Sequence, residues 1–230
     1  MRVLIACEES QAVCKAFREK GHEAYSCDIQ DCSGGHPEWH IKGDVLPLLN
    51  GRCSFKTCDG AEWHIDGRWD LIIAHPPCTY LTVTGNRWFN VERYGEKAIQ
   101  RMEEREKAIQ FFLTIACADC DKIVIENPIG IISTVWRKPE QIVHPYYFAE
   151  NKDDVNCERK ATCLWIKGVK KLEYEIKYKP RVVRYKNGKG TDSPWHINTM
   201  GLPADERAKA RSKTFPGIAK AMAEQWGGTI

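Results

Sequence analysis

The 230-residue chain has no apolar run approaching the roughly 18 consecutive residues of a membrane helix, which argues against a bilayer-spanning segment. Its opening, Met1-Arg2-Val3-Leu4-Ile5, is too short for an export signal. No internal repeat or low-complexity tract is visible, which sets aside solenoids and arrays. A large excess of one charge is also missing, with 34 Lys and Arg against 31 Asp and Glu. Hydrophobic content of 43% and charged content of 28% fit a globular chain and exclude a disordered tail. The 11 cysteines are odd in number and below the roughly 8–10% density of small disulfide scaffolds. With no export signal, free thiols in a reducing, cytoplasmic setting are expected. Cys27 and Cys163, within apolar runs, read as small core residues.

What is present is alternation. Val3-Leu4-Ile5-Ala6 is a short apolar run. From Glu8 the apolar positions Val13, Ala16 and Phe17 recur at helical spacing, and Gly21 offers a C-terminal cap. Ala24–Cys27 is extended and ends on Asp28, and Gly43-Asp44-Val45 closes a third short strand. Cys58-Asp59-Gly60 reads as the turn of a surface hairpin. Trp69–Ala74 and Lys122–Ile125 read as buried strands, the second broken by Glu126-Asn127-Pro128. Between them, Gly95–Ala118 sets Ala98, Ile99, Met102, Ile109, Phe112 and Ala116 on one stripe of an amphipathic helix. Pro216 opens a last helix carrying Ile218, Ala219, Met222 and Trp226. Strands alternating with helices predict an α/β fold, an open and mostly parallel sheet with helices on both faces. In such sheets ligands bind beyond the carboxyl ends of the strands. Cys7-Glu8, Asp28, Asp44, Pro77-Cys78 and Glu126-Asn127 all fall there.

Charge is uneven along the chain. Residues 167–213 hold thirteen Lys and Arg against five Asp and Glu, a net of +8, with Tyr174, Tyr178, Tyr185 and Trp195 interleaved. Cations with aromatics suit a phosphate backbone and its bases, with Arg184, Lys186 and Lys189 as contact residues. A solvated, Lys-rich edge hairpin around Asn187-Gly188 accounts for the same residues.

Cys78 follows a buried strand and two prolines, which stiffen its turn and aim the thiol at a cleft. Glu126 ends the next strand, so a parallel sheet can set it beside Cys78. Their structural alternatives are a thiol in a Pro-rich turn and a helix-capping or Arg-paired carboxylate. As a pair they suit one chemistry: a thiolate adds to carbon 6 of a pyrimidine, making carbon 5 nucleophilic, while an acid attends nitrogen 3. His75, beside them, can line the same pocket. His36 and His40 are spaced by four, but Pro37 argues against a helical metal pair, and Cys117-Ala118-Asp119-Cys120 lacks a second CxxC. No metal is expected.

The segment Asp70–Gly85, with Pro76-Pro77-Cys78 and a Gly seven residues on, resembles the nucleophile motif of DNA cytosine-5 methyltransferases. Ile125-Glu126-Asn127-Pro128 resembles their Glu-Asn-Val motif, with Pro for Val. Ser212–Ala219 looks like the C-terminal segment that returns to their cofactor pocket. The whole is similar to small members of the family encoded by phages and prophages. The resemblance implies a Rossmann-like methyltransferase fold, with residues 1–166 and 212–230 as catalytic domain and 167–211 as a small basic appendage. It implies S-adenosylmethionine as methyl donor, DNA as substrate, Cys78 as nucleophile, Glu126 as acid and Arg159, or the competing Lys160, at the pyrimidine carbonyl. Asp28 then takes the ribose and Asp44 with Val45 the adenine, and Cys7, Glu8, Ser10, Ile29, Pro77 and Thr214 complete the cofactor site. The sequence departs from the family in two ways. Ala6-Cys7-Glu8-Glu9-Ser10 has no Gly where a Gly-rich loop is expected. Residues 167–211 are also too few for the usual base-reading lobe, so a partner protein or oligomer is a route to target recognition. Methylation of RNA or of a free pyrimidine nucleotide, and nucleic-acid binding without turnover, are the alternatives.

Overall fold

Residues 2–6 form β1, and the chain returns beside it through helix α1, Ala12–Glu19, to β2, Glu23–Asp28. A computed structural model describes residues 1–185 and 188–228. The central sheet adds β3 (His40–Lys42), β4 (Leu71–Ala74), β5 (Ile123–Pro128), β6 (Gln141–Val143) and β7 (Thr162–Lys167). Its order is β3-β2-β1-β4-β5-β7-β6. The first five strands run parallel, and β7 lies antiparallel between β5 and β6. The protein is therefore α/β with a seven-stranded, mostly parallel sheet, an arrangement compatible with a Rossmann-like fold. The order reverses between β1 and β4, where such sheets open a ligand crevice.

Alternation along each strand divides the core. Leu4, Tyr25, Ile72 and Ile125 face helix α2, Glu96–Ala116, through its Ile109, Phe112 and Ile115. Val3, Ile5, Leu71 and Val124 face the opposite side, where Val13 and Phe17 of α1 meet Ile218, Met222 and Trp226 of helix α3, Pro216–Trp226. Lys20 and Glu224 join the two helices at 3.3 Å on the surface.

The structure departs from the sequence reading in several elements. Helix α1 starts at Ala12, not Glu8, because Gln11 adopts a left-handed conformation (φ 57°). The Glu-Asn-Pro segment continues β5, pairing with Leu164, Cys163 and Thr162 of β7. On α2, Ile99 and Met102 are 48% and 43% exposed, since the first half of that helix packs on residues 83–94 rather than on the sheet. Residues 53–56 and 62–65 form the expected hairpin.

The 167–211 segment is laced to the main domain. Leu172 is buried in the core, Arg181 pairs with buried Glu158 at 2.8 Å, and Trp195 packs on Phe215. Its Val183–Arg184 strand pairs with Thr191–Asp192, and two short helices, Pro194–Met200 and Ala204–Ser212, follow. No described helix is long and apolar enough to cross a membrane, and no cysteine is in a disulfide.

Candidate active site

Strand direction assembles the site. β4 and β5 end side by side, delivering His75–Cys78 and Glu126 to one edge of the sheet. Because β7 runs the opposite way, its beginning lies at that edge, and Arg159 and Lys160 arrive there with it. The Cys78 turn is pinned from three directions. Asn127 Nδ2 donates to Pro76 O at 2.7 Å. From α2, Arg101 Nη2 donates to Thr79 O at 3.0 Å and Arg105 Nε to Tyr80 O at 2.9 Å. Thr82 bridges Gly130, and Ile131 N donates to Leu81 O at 2.8 Å. A thiol held this way loses little entropy on reaction.

Glu126 is buried, and its Oε2 accepts from His75 Nδ1 at 2.8 Å, with both side chains 7% exposed. Burial pushes the Glu126 carboxyl up, but the Lys160 charge and the His75 hydrogen bond outweigh it and hold the group below the ordinary carboxylate range. An ionised carboxylate only accepts, so Nδ1 carries the hydrogen. His75 Nε2 is buried with no partner among the described residues. For Cys78, burial and the Glu126 charge push the thiol up, and Lys160 partly offsets them. Thiol, carboxyl and ammonium thus act on one another electrostatically, which neither sequence separation nor composition reveals.

Arg159 and Lys160 diverge. Arg159 Nη2 donates to Thr191 O at 3.0 Å and Thr191 Oγ1 at 3.1 Å. Lys160 Nζ donates to Lys213 O at 3.3 Å and is the cation that acts on Cys78 and Glu126. This contact brings the 212–219 segment to the site edge, with Thr214 buried beside it.

Next to the turn lies a cavity of about 330 Å³, lined by Cys7, Asp28, Ile29, Asp44, Val45 and Pro77, with Tyr80 and Phe111 among the further walls. Asp28 Oδ1 accepts from Gln30 N at 2.9 Å and Asp44 Oδ1 from Leu46 N at 3.0 Å, so each carboxylate is oriented by its own turn. Its apolar walls, with Asp28 and Asp44 at strand ends and Glu104 and Lys107 on α2, suit a ligand that offers a ring to pack and hydroxyls to bind. Glu8, Ser10 and Thr214 are not among its lining residues. Glu8 is buried and occupied, accepting from Val13 N at 2.7 Å and Cys14 N at 3.1 Å to cap α1. The loop turns without glycine by placing Cys7 (φ 60°) and Gln11 (φ 57°) in the left-handed region, at a cost of about 1–2 kcal/mol each. Gln11, not singled out from the sequence, ties this loop to the next: Nε2 donates to His36 O at 2.8 Å and Oε1 accepts from His36 N at 3.0 Å.

Arg184 is exposed on its two-residue strand, Lys189 is exposed, and Lys186 lies outside the described residues. Tyr174 stacks on Tyr147 at 4.5 Å. Among the described residues no three His, Cys, Asp or Glu side chains come together to hold a metal ion. His36 stacks on Trp39 at 3.9 Å, and His40 bonds to Ser26 and Gln30. No family model matches this chain, and no curated protein matches it.

Proposed function

We propose that the chain is an S-adenosylmethionine-dependent methyltransferase acting on carbon 5 of cytosine in DNA. The observation that carries this reading is the convergence of Cys78, Glu126 and Lys160 at the ends of β4, β5 and β7, beside a nucleoside-sized cavity. Cys78 bonds to carbon 6, Glu126 attends nitrogen 3, and Lys160 offers the positive charge at the pyrimidine carbonyl. Asp28 and Asp44 hold the ribose and adenine of the cofactor, which when bound supplies an electrophilic methyl group. Arg184, Lys186 and Lys189 extend the contact along the phosphate backbone. Burial and the Glu126 charge disfavour the Cys78 thiolate, so its formation draws on the positive charge of Lys160, which acts in the opposite sense.

That same raised thiol favours a second reading, a nucleic-acid-binding protein without turnover. DNA carrying 5-fluorocytosine, incubated with cofactor, separates the two. A covalent adduct that is lost in a folded Cys78→Ala chain supports the enzyme. No adduct, or one that survives the substitution, refutes Cys78 as nucleophile.

A further inference from the structure

The acid of this site has a difficulty that its own geometry resolves. Held below the ordinary carboxylate range by Lys160 and His75, Glu126 is ionised at neutral pH and has no proton of its own to give nitrogen 3. A hydrogen-bonded partner stands 2.8 Å away, on the strand end that also carries the nucleophile turn. His75 is held at Nδ1 and unpartnered at Nε2, in a side chain 93% buried by its 7% exposure. Nδ1, the nitrogen bonded to Glu126, is the atom across which a proton can pass between the two groups.

We propose that His75 is a positioning residue that fixes the Glu126 carboxyl toward the pyrimidine and serves as its proton reserve. The inference rests on the reading of the site as a cytosine methyltransferase. The proton balance is closed. In this relay the pair holds one mobile proton, which moves between His75 Nδ1 and Glu126 Oε2. When the Cys78 thiol gives its proton to solvent and its sulfur bonds to carbon 6, the π pair moves to carbon 5 and nitrogen 3 takes the pair's mobile proton from Glu126. Carbon 5 then takes a methyl group from a sulfonium donor or, without one, a proton from water. On elimination carbon 5 gives its hydrogen to water, the sulfur leaves with its electron pair and regains a proton from solvent, and nitrogen 3 returns its proton to Glu126 and so to His75. The charged and titratable groups facing this pair are Glu8 from the loop after β1, Lys160 before β7, Cys163 on β7 and Cys78 on the same turn.

The test uses DNA, single- and double-stranded, carrying cytosine tritiated at carbon 5. Release of tritium without any methyl donor reports addition at carbon 6 alone. The replacement His75→Asn keeps an N–H that can donate to Glu126 but holds no transferable proton. It should slow release by about 10- to 100-fold at pH 8 and much less at pH 6. The alkaline limb of the profile thus moves to lower pH, because a carboxyl alone loses its proton earlier than an imidazolium does. A His75→Asn profile of wild-type shape, with or without a uniform drop, overturns the relay and leaves His75 a structural contact. Should His75→Asn not fold, His75→Gln is judged by the same profile. Independently of activity, carbon-13 titration of the Glu126 carboxyl should move upward in the variant, and an unmoved titration also overturns the relay. Failure of the wild type to release tritium from any cytosine polymer overturns the function itself. Release with an unchanged variant profile overturns the relay alone.

Discussion

Gly130 sits where no side chain can. A Cβ added there would lie 2.2 Å from Leu81 O and 2.9 Å from Leu81 C, both backbone atoms that cannot swing aside. The approach allows Ile131 N to bond Leu81 O at 2.8 Å and Val83 N to bond Ile129 O at 3.2 Å, zipping the turn after Cys78 to the turn after Glu126. In Gly130→Ala the two turns must part or the backbone must bend. Losing two such bonds costs about 1 kcal/mol each, and forcing the methyl in costs about 1–3 kcal/mol. The chain takes the cheaper mixture, so a loss of about 1–2 kcal/mol is expected. For a domain of this size that lowers the melting midpoint by roughly 2–8 °C. Calorimetry and urea denaturation read the stability, and peptide mass spectrometry reads alkylation of Cys78, which should become several-fold faster as its turn loosens. A variant within about 0.5 kcal/mol of wild type, a normal surface effect, with unchanged Cys78 alkylation, would falsify the zipped-turn argument.

Three further outcomes follow from the same geometry. Because the folded Glu126 carboxyl is held low, its ionised form stabilises the fold above the ordinary carboxylate range, and that contribution disappears as pH falls through the folded value. The stability gap between wild type and Glu126→Gln should therefore narrow as urea titrations move from pH 7 to about 3, and a gap constant with pH contradicts the assignment. Glu8→Ala removes both carboxylate caps from a helix to which Gln11 gives no side-chain cap. It should cost about 1–3 kcal/mol at neutral pH, and a silent substitution in urea denaturation would count against the capping role. Asp28→Ala and Asp44→Ala should each weaken S-adenosylmethionine binding by about 1.5–3 kcal/mol, the range of a charge-assisted hydrogen bond. Calorimetry showing unchanged affinity in both rules out that cavity as the cofactor site.

Elements built from contiguous apolar runs were legible before any coordinates. β1, β2, β4 and the α3 stripe each bury the residues their periodicity marks. β6 escaped notice because its three residues gain strand character only from β7, which follows about 20 residues later. The Glu-Asn-Pro end of β5 reads as a break, since Pro128 has no N–H to offer a ladder, yet it lies at the last register position before the chain leaves the sheet. The Cys78 turn and Glu126 are readable as strand ends in a parallel sheet. The division of labour between Arg159 and Lys160 was not: neighbouring residues project differently, and only the antiparallel course of β7 and the position of Thr191 decide which cation reaches the cleft. The His75–Glu126 bond spans 51 residues and has no local signal at all.

The packing of α1 against α3 imposes an order on folding in time. Val13 and Phe17 lie on α1, yet the surface that covers them, Ile218, Met222 and Trp226, is made about 200 residues later. At a synthesis rate of about 5–20 residues per second, the two are separated by roughly 10–40 s on the ribosome. Once β7 has been made, and until residues 216–226 follow, the nascent protein carries an uncovered apolar flank on its sheet, a surface that chaperones bind and that invites association with neighbouring chains. Messages cut short before the codons for residues 216–226 would yield chains fixed in that state, holding every residue of the candidate catalytic cluster yet unable to close one face of the core.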